Sequence, residues 1–479
     1  MLRSTEPLQR SQTDLNQNCI LDWPASETLG NTRNQHTQGH GKLGQGPVPV
    51  SILTGARHSK PPAIILGGSE NALSIVRSLS GAGIPCHAIN YPHAPVKYSR
   101  FCKWIDIPKS PGTIPESWAA YLLGDESNHL RGAVLLAASD EAIELIASHR
   151  QALLEKFRLD LSNPKAQLCM LNKLCTYEAA QRAGVPTPKF WVAGKREEIE
   201  ELKDKLIFPL ILKPFFSHRL KAYFTVVRKF DEVLDAFDAT CRAGIRVFLV
   251  EMIPGGDDKL CSYYTYLNET GNNLFDYTKR IIRRFPVNLG SGVYHVTDHV
   301  PDVKELSLKL FREVELRGIA NAEFKLDERD GQLKLIECNA RFTAADCLLT
   351  ASGLNLSLFV YNRLTSHPQP APTSFRLGMR LWNPPRDFLA YRQLNKMGLL
   401  SFPHWVRSIW KPQIFPFFRW DDPLPSIVKP FASAVRRIRA WVARAKASRL
   451  RPVGLASDQS RFRHNDRSAI GQDSQGIPN

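Results

Sequence analysis

The sequence predicts a mixed chain: a small parallel α/β domain followed by two α+β halves. Three observations carry that prediction. Short apolar runs at 63–66 and 133–137 each lead into a helix-like stretch, as strands buried on both faces of a parallel sheet do. Later apolar strands end in charge, at Leu212-Lys213-Pro214 and at Val250-Glu251. Near the centre, 322–327 alternates and 333–338 is mostly apolar. Asp330-Gly331 between them is turn chemistry, so the pair reads as a hairpin.

Residues 1–58 are rich in Gln, Asn, Ser, Thr and Gly without an apolar period, the composition of a disordered segment. From Ala63 a strand, the turn Gly67-Gly68 and a helix lead to Ile84-Pro85-Cys86, the start of a βαβ unit. With the strand at 133–137 and a helix from Asp140 to Ser148, residues 60–155 form the first domain. Gly67-Gly68-Ser69 lacks the full Gly-x-Gly-x-x-Gly of a dinucleotide fingerprint. It reads as a tight turn, with contact to an acceptor substrate the other reading.

Residues 156–365 hold the two α+β halves. Leu171-Asn172-Lys173 opens a helix that runs to Gly184, followed by Val185-Pro186-Thr187-Pro188. A strand spans 208–214, and another runs through Glu251, Met252 and Ile253 into Pro254-Gly255-Gly256. Residues 366–430 are rich in Pro and aromatics and read as a packed cap or a partner surface. In 431–450, Val435, Ile438, Val442 and Ala445 recur at helical spacing among arginines. That is a basic amphipathic helix, which either packs its stripe on the protein or lies on an anionic membrane. Residues 451–479 are polar and expected to be disordered.

The hairpin carries the most chemistry. With a three-residue loop, 329–331, and Gly331 left-handed, Glu323 falls opposite Glu337 and Asn321 opposite Asn339. A two-residue turn would instead pair Glu323 with Cys338. Directly opposed like charges destabilise a sheet, and a cation between them reverses that penalty. Magnesium takes one or two carboxylates together with phosphate oxygens and waters. Glu337, Asn339 and Arg341 share one strand face because the side-chain period is two. A solvated hairpin with incidental charge is the alternative.

Composition sets outer bounds. The net charge of +17 suits polyanions or anionic membranes, but much of the excess lies near the C-terminus. Aromatics and cations are not interleaved as in a base-stacking groove, so no nucleic-acid partner is expected. The nine cysteines show no Cys-x-x-Cys spacing and read as reduced thiols of a cytoplasmic protein, without zinc. No apolar run reaches the roughly eighteen residues of a spanning helix, and the N-terminus has no secretory h-region.

The order of these motifs resembles the ATP-grasp superfamily across 160–365. That order is a first Lys before a helix, a second Lys on a strand, a Glu-x-Ile-Pro-Gly hinge, then Glu and Glu-x-Asn on a terminal hairpin. The opening 63–68 with 78–85, the basic strand Lys279-Arg280-Ile281-Ile282-Arg283-Arg284-Phe285-Pro286 and the stretch from Trp382 to Pro425 are similar to its carboxylate–amine ligase branch, which includes ligases like D-aspartate ligase. The resemblance implies an ATP-grasp fold, two α+β subdomains clasping ATP, and a magnesium- or manganese-dependent, ADP-forming amide synthesis through an acyl phosphate. The substrates would be a small carboxylic acid and an amine. By the same resemblance, Lys173 and Lys213 would contact the α- and β-phosphates. Glu251 with the backbone of Met252 and Ile253 would hold the adenine edge. Asp258 or its neighbour Asp257 would accept a ribose hydroxyl. Glu323, Glu337 and Asn339 would hold the metal, and Arg283 and Arg341 would act catalytically on the γ-phosphate and the transferring phosphoryl group.

One departure stands out. The loop Phe215-Phe216-Ser217-His218-Arg219-Leu220-Lys221-Ala222 has no glycine, where many relatives are Gly-rich, although the branch often shows a Lys-Ala pair there. His218 and His295 read as loop and strand residues rather than bases. A carboxylase, a phosphoryl transferase and a non-catalytic nucleotide binder are the alternatives. The chain has no biotinylation motif, and a binder alone has no need of the full carboxylate face.

Overall fold

Ala63-Ile64-Ile65-Leu66 is buried along its whole length, and the two faces of this strand go to different cores. Ala63 and Ile65 pack toward the helix Glu70–Gly81 (α1), while Ile64 and Leu66 pack toward Ile114–Leu123 (α2) and Asp140–Ser148 (α3). A computed structural model describes residues 60–108, 112–216, 225–370 and 372–428. The expected disorder at 1–58 and 451–479, the helix expected at 431–450 and most of the glycine-free loop lie outside the described residues.

The first sheet is parallel in the order β3-β2-β1-β4, with β1 Ala63–Leu66, β2 Cys86–Ile89, β3 Lys103–Trp104 and β4 Val134–Ala137. Helix α2 begins with a capping box, Thr113 accepting from the Glu116 N–H while the Glu116 side chain accepts from that of Thr113. Ser139 caps α3.

Helices Pro164–Leu171 (α4) and Lys173–Arg182 (α5) lead into the first α+β half. Its antiparallel sheet runs β5-β8-β6-β7, with β5 Phe190–Trp191, β6 Leu210–Pro214, β7 Thr225–Val227 and β8 Val247–Glu251. Leu210, Leu212, Val247 and Leu249 cover one face with the helix Phe230–Arg242 (α6). Phe248 and Val250 turn the other way, onto Tyr177 of α5.

The second half is a six-stranded antiparallel sheet, β13-β12-β9-β10-β11-β14. Its strands are β9 Leu260–Leu267, β10 Tyr277–Phe285, β11 Ser291–Thr297, β12 Gly318–Asp327, β13 Gln332–Asn339 and β14 Arg380–Trp382. Helix Asp302–Glu313 (α7) covers one face. Helices Asp346–Ala351 (α8) and Leu356–Leu364 (α9) cover the other and share a core with the first domain. The aromatic-rich extension packs here as a cap. Strand β14 pairs with β11, and helices Pro384–Lys396 (α10) and Phe402–Ile409 (α11) follow. Asp422 accepts from Arg77 of α1 at 2.9 Å, and both are buried.

The hairpin differs from expectation in its loop. Asp327 pairs with Gln332, so the loop is 328–331, with Gly331 at φ +70°. A bulge at Ile336 then restores the offset, so that Phe324 faces Leu335 but Glu323 faces Glu337 and Asn321 faces Asn339.

Candidate active site

A cavity of about 260 Å3 lies between the two α+β halves, bounded by β6, the end of β8, β10, the β12–β13 hairpin and the loop before β11. Lys173, Lys213, Glu251, Met252, Ile253, Glu323, Glu337, Asn339 and Arg341 all line it. The fold therefore gathers nine of the eleven residues singled out in the sequence.

Local structure positions each one. Asn172 caps α5, its Oδ1 accepting from the N–H groups of Leu174 and Cys175, and this places Lys173 at the helix start. Lys173 Nζ lies 3.1 Å from Glu337 Oε2. Lys213 sits near the end of β6, buried, with Nζ donating to the Tyr177 hydroxyl at 2.9 Å. Burial first, and then Lys173, depress its pKa to about 7. Lys173 pulls the Glu337 carboxyl below its ordinary range, while burial pushes Glu323 up. Glu323 Oε1 accepts from Ser262 at 3.3 Å and lies 3.7 Å from Lys279 Nζ. Asn339 turns its Nδ2 toward Asn321 Oδ1 at 3.2 Å, which leaves its own carbonyl oxygen for the cavity. Two carboxylates and an amide oxygen, all hard donors, fit a magnesium ion that completes its shell with phosphate and water. Among the described residues, no group of three His, Cys, Asp or Glu side chains is placed to hold a metal by itself.

Two expected residues fall elsewhere. Arg283 does not reach the cavity. It forms a two-pronged pair with Asp387 of α10, at 2.6 and 2.9 Å, and stacks on Tyr294. The cause is a bulge in β10: Ile281 pairs with His295 but Arg283 pairs with Tyr294, so Ile282 is extra and the side-chain parity flips. Arg284 therefore joins the cavity face of Lys279. Asp258 is exposed and off the cavity wall. Its neighbour Asp257 is buried, accepting from Arg284 Nε at 2.8 Å.

The strand end at Glu251 is also more committed than its motif implies. Arg329 donates to Glu251 Oε1 at 2.5 Å and the Lys189 N–H to Oε2 at 3.2 Å. The Met252 N–H donates to the Pro209 carbonyl, and the Ile253 carbonyl accepts from Lys325 Nζ at 3.0 Å. The N–H of Ile253 has no partner among the described residues.

Lys279, Arg284, Lys325 and Tyr264 complete the wall without having been singled out individually. The basic strand 279–286 was the signal for the first two, but the parity that picks Arg284 over Arg283 comes from the bulge. His295 is buried over this floor, and burial together with Lys279 holds its pKa well below the ordinary value, so it is neutral. Gly292 is required beside it, since a Cβ there would lie 2.1 Å from the imidazole. Arg341 bridges to the first domain, donating from Nε to Asp140 Oδ1 at 2.5 Å.

No family model matches the chain. Over 368 residues it is 27% identical to a D-aspartate ligase of Enterococcus faecium, covering 70% of this chain and 85% of that enzyme. Over 191 residues it is 27% identical to a D-alanine–D-alanine ligase of a Thermoanaerobacter species, 36% of this chain and 51% of that one. Among solved structures, N5-carboxyaminoimidazole synthetase from Staphylococcus aureus complexed with ADP superposes at a TM-score of 0.52 with 14% identity, over 69% of this chain and 83% of that one. An L-amino acid ligase from Bacillus licheniformis gives 0.50 with 16% identity, over 67% and 79%. The fold is ATP-grasp.

Proposed function

We propose that this chain, an ATP-grasp ligase homologous to D-aspartate ligase, joins a small carboxylic acid to an amine with conversion of ATP to ADP and phosphate. The observation that carries the reading is the opposition of Glu323 and Glu337 across adjacent strands, with Asn339 on the same face, beside a cluster of buried cations.

In this reading Lys173, Lys213, Arg284 and Lys279 supply positive charge along the path of a triphosphate. The free N–H of Ile253 serves the adenine edge. Glu251, held by Arg329, orients that strand end rather than contacting the base itself. Glu323, Glu337 and Asn339 would hold magnesium, which supplies charge neutralisation on the phosphate oxygens when bound. Arg341 keeps its Nη2 without a partner among the described residues, and that fork edge suits the transferring phosphoryl group. The substrate carboxylate attacks the γ-phosphorus and ADP leaves. The amine then displaces phosphate from the acyl phosphate and forms the amide. The protein contributes position and electrostatics, and no side-chain nucleophile is needed.

The test is ADP release over a panel of amino acids and short peptides, with mass spectrometry of the products. Acid- and amine-dependent ADP release with a product lighter than its two parts by one water supports the reading. ATP binding without ADP release for any acid–amine pair, or a carboxylated or phosphorylated final product, would replace it.

A further inference from the structure

The helix α11 is amphipathic, yet none of its residues is buried. Phe402, Pro403, Val406 and Trp410 line an open groove of about 510 Å3, with Arg407 and Lys411 at its rim. Trp410 is 84% exposed and Phe402 55%, and Leu399 in the preceding turn is 67% exposed. The helix is firmly seated from beneath. Trp405 stacks on Tyr391 at 4.9 Å and donates to the buried Asp387 at 2.9 Å, so the outward side chains stand on a rigid base.

Charge narrows what covers this face. Between Asp387 and Asp421 the sequence has no Asp or Glu and five cations, Arg392, Lys396, Arg407, Lys411 and Arg419, all exposed. Residues 429–451 add eight cations and no acid. Like charge disfavours both the chain's own tail and a second copy of the same face as the occupant. Exposed Phe402 and Trp410 with Arg407 and Lys411 beside them match the layered chemistry of an anionic bilayer surface: aromatic rings at headgroup level, cations against phosphates. No helix among the described residues is long and apolar enough to cross a membrane, so contact would be peripheral.

We infer that the α10–α11 face is a docking surface for an anionic lipid membrane. The inference stands apart from the ligase reading, because the face lies outside the cavity that carries that reading.

The test is co-sedimentation of the full chain with vesicles of phosphatidylcholine alone and of phosphatidylcholine with phosphatidylglycerol. Three proteins are compared: wild type, Phe402→Glu/Trp410→Glu, and a tail variant, Arg436→Ala/Arg437→Ala/Arg439→Ala. Wild type is expected to pellet only with the anionic vesicles, and less as salt rises. Phe402→Glu/Trp410→Glu is expected to bind about tenfold more weakly or worse, since two large apolar side chains leave the interface. Its melting temperature is expected to be unchanged, because both positions are exposed. The tail variant is expected to retain binding. Three results would overturn the inference: no pelleting of wild type, equal pelleting of Phe402→Glu/Trp410→Glu, or a concentration-dependent dimer in light scattering that this variant abolishes.

Discussion

Glu337 and Lys213 show how one neighbour changes what a residue can do. Glu337 sits in reach of Lys173 and opposite Glu323, so Lys173 holds its charge in place. Glu337→Gln removes that charge at nearly constant volume. ADP release is expected to fall by about a hundredfold or more while the fold persists, because several kcal/mol of charge stabilisation disappears. A steady-state assay beside a thermal melt checks both halves of the statement. Lys213, whose pKa burial depresses to about 7, would regain its proton beside a bound phosphate. Below pH 7 it is charged before and after binding. Above pH 7 binding must take up a proton, so ATP affinity falls as pH rises until the higher pKa of the complex is passed. Calorimetry in buffers of different ionisation enthalpy is expected to show proton uptake near pH 8 in wild type and none in Lys213→Met.

A third residue bears on stability alone. Asp346, at the start of α8, is buried, with Oδ1 unpartnered and Ser357 donating to Oδ2 at 3.2 Å. Burial raises its pKa to about 6. The native state thus holds a proton that the unfolded chain releases between its ordinary value near 4 and 6, and stability falls as pH rises through that window. Asp346→Asn is expected to be more stable than wild type above pH 6, by about 3 kcal/mol, and no more stable at pH 4. Chemical denaturation at the two pH values measures it.

At the scale of elements, two single-residue bulges decide the site. In β13 the bulge at Ile336 carries Glu337 back opposite Glu323 after a loop one residue longer than the hairpin was expected to have. Deleting Ile336 would remove the bulge, bring Glu337 directly after Leu335 and leave it opposite Glu323. The expected outcome is a folded protein that keeps magnesium-dependent ADP release, read by circular dichroism and the release assay. In β10 the bulge at Ile282 exchanges Arg283 for Arg284. A bulge leaves little trace in a sequence. It answers to the packing of the whole strand against its neighbours, and both faces of β10 are rich in charge, so the period-two pattern does not say which face is inside.

For the whole molecule, the C-terminal extension is bound in by buried ion pairs. Arg283 with Asp387 ties β10 to α10, and Arg77 with Asp422 ties α1 to the turn at 419–422. Asp387 also accepts from the indoles of Trp382 and Trp405, each at 2.9 Å. Breaking such a pair from one side leaves an uncompensated charge, at about 3–5 kcal/mol. Arg283→Met is expected to lower the melting temperature markedly while ATP affinity per folded molecule stays near wild type. A large loss of affinity with no loss of stability would instead return Arg283 to the phosphate site.

Much of the architecture was legible from the chain alone. Helix α3 spans the Asp140–Ser148 stretch read from the chain, and β6 and β8 follow their apolar runs. The motif order brought Lys173, Lys213, Glu251, Glu323, Glu337, Asn339 and Arg341 to one cavity wall, since strand ends and helix starts point functional groups at fixed places. Those features are local: caps, periods and turn residues act within a few positions and are written where they act. The tertiary structure alone decided which of two adjacent arginines faces the cavity, that Asp257 and not Asp258 is engaged, and that the Met252 N–H is already taken by Pro209. Each of those outcomes depends on a partner brought from another strand or another domain, and a one-residue slip reverses it. Chemistry was therefore readable where the chain sets its own geometry, and unreadable where long-range packing chooses between neighbours of the same kind.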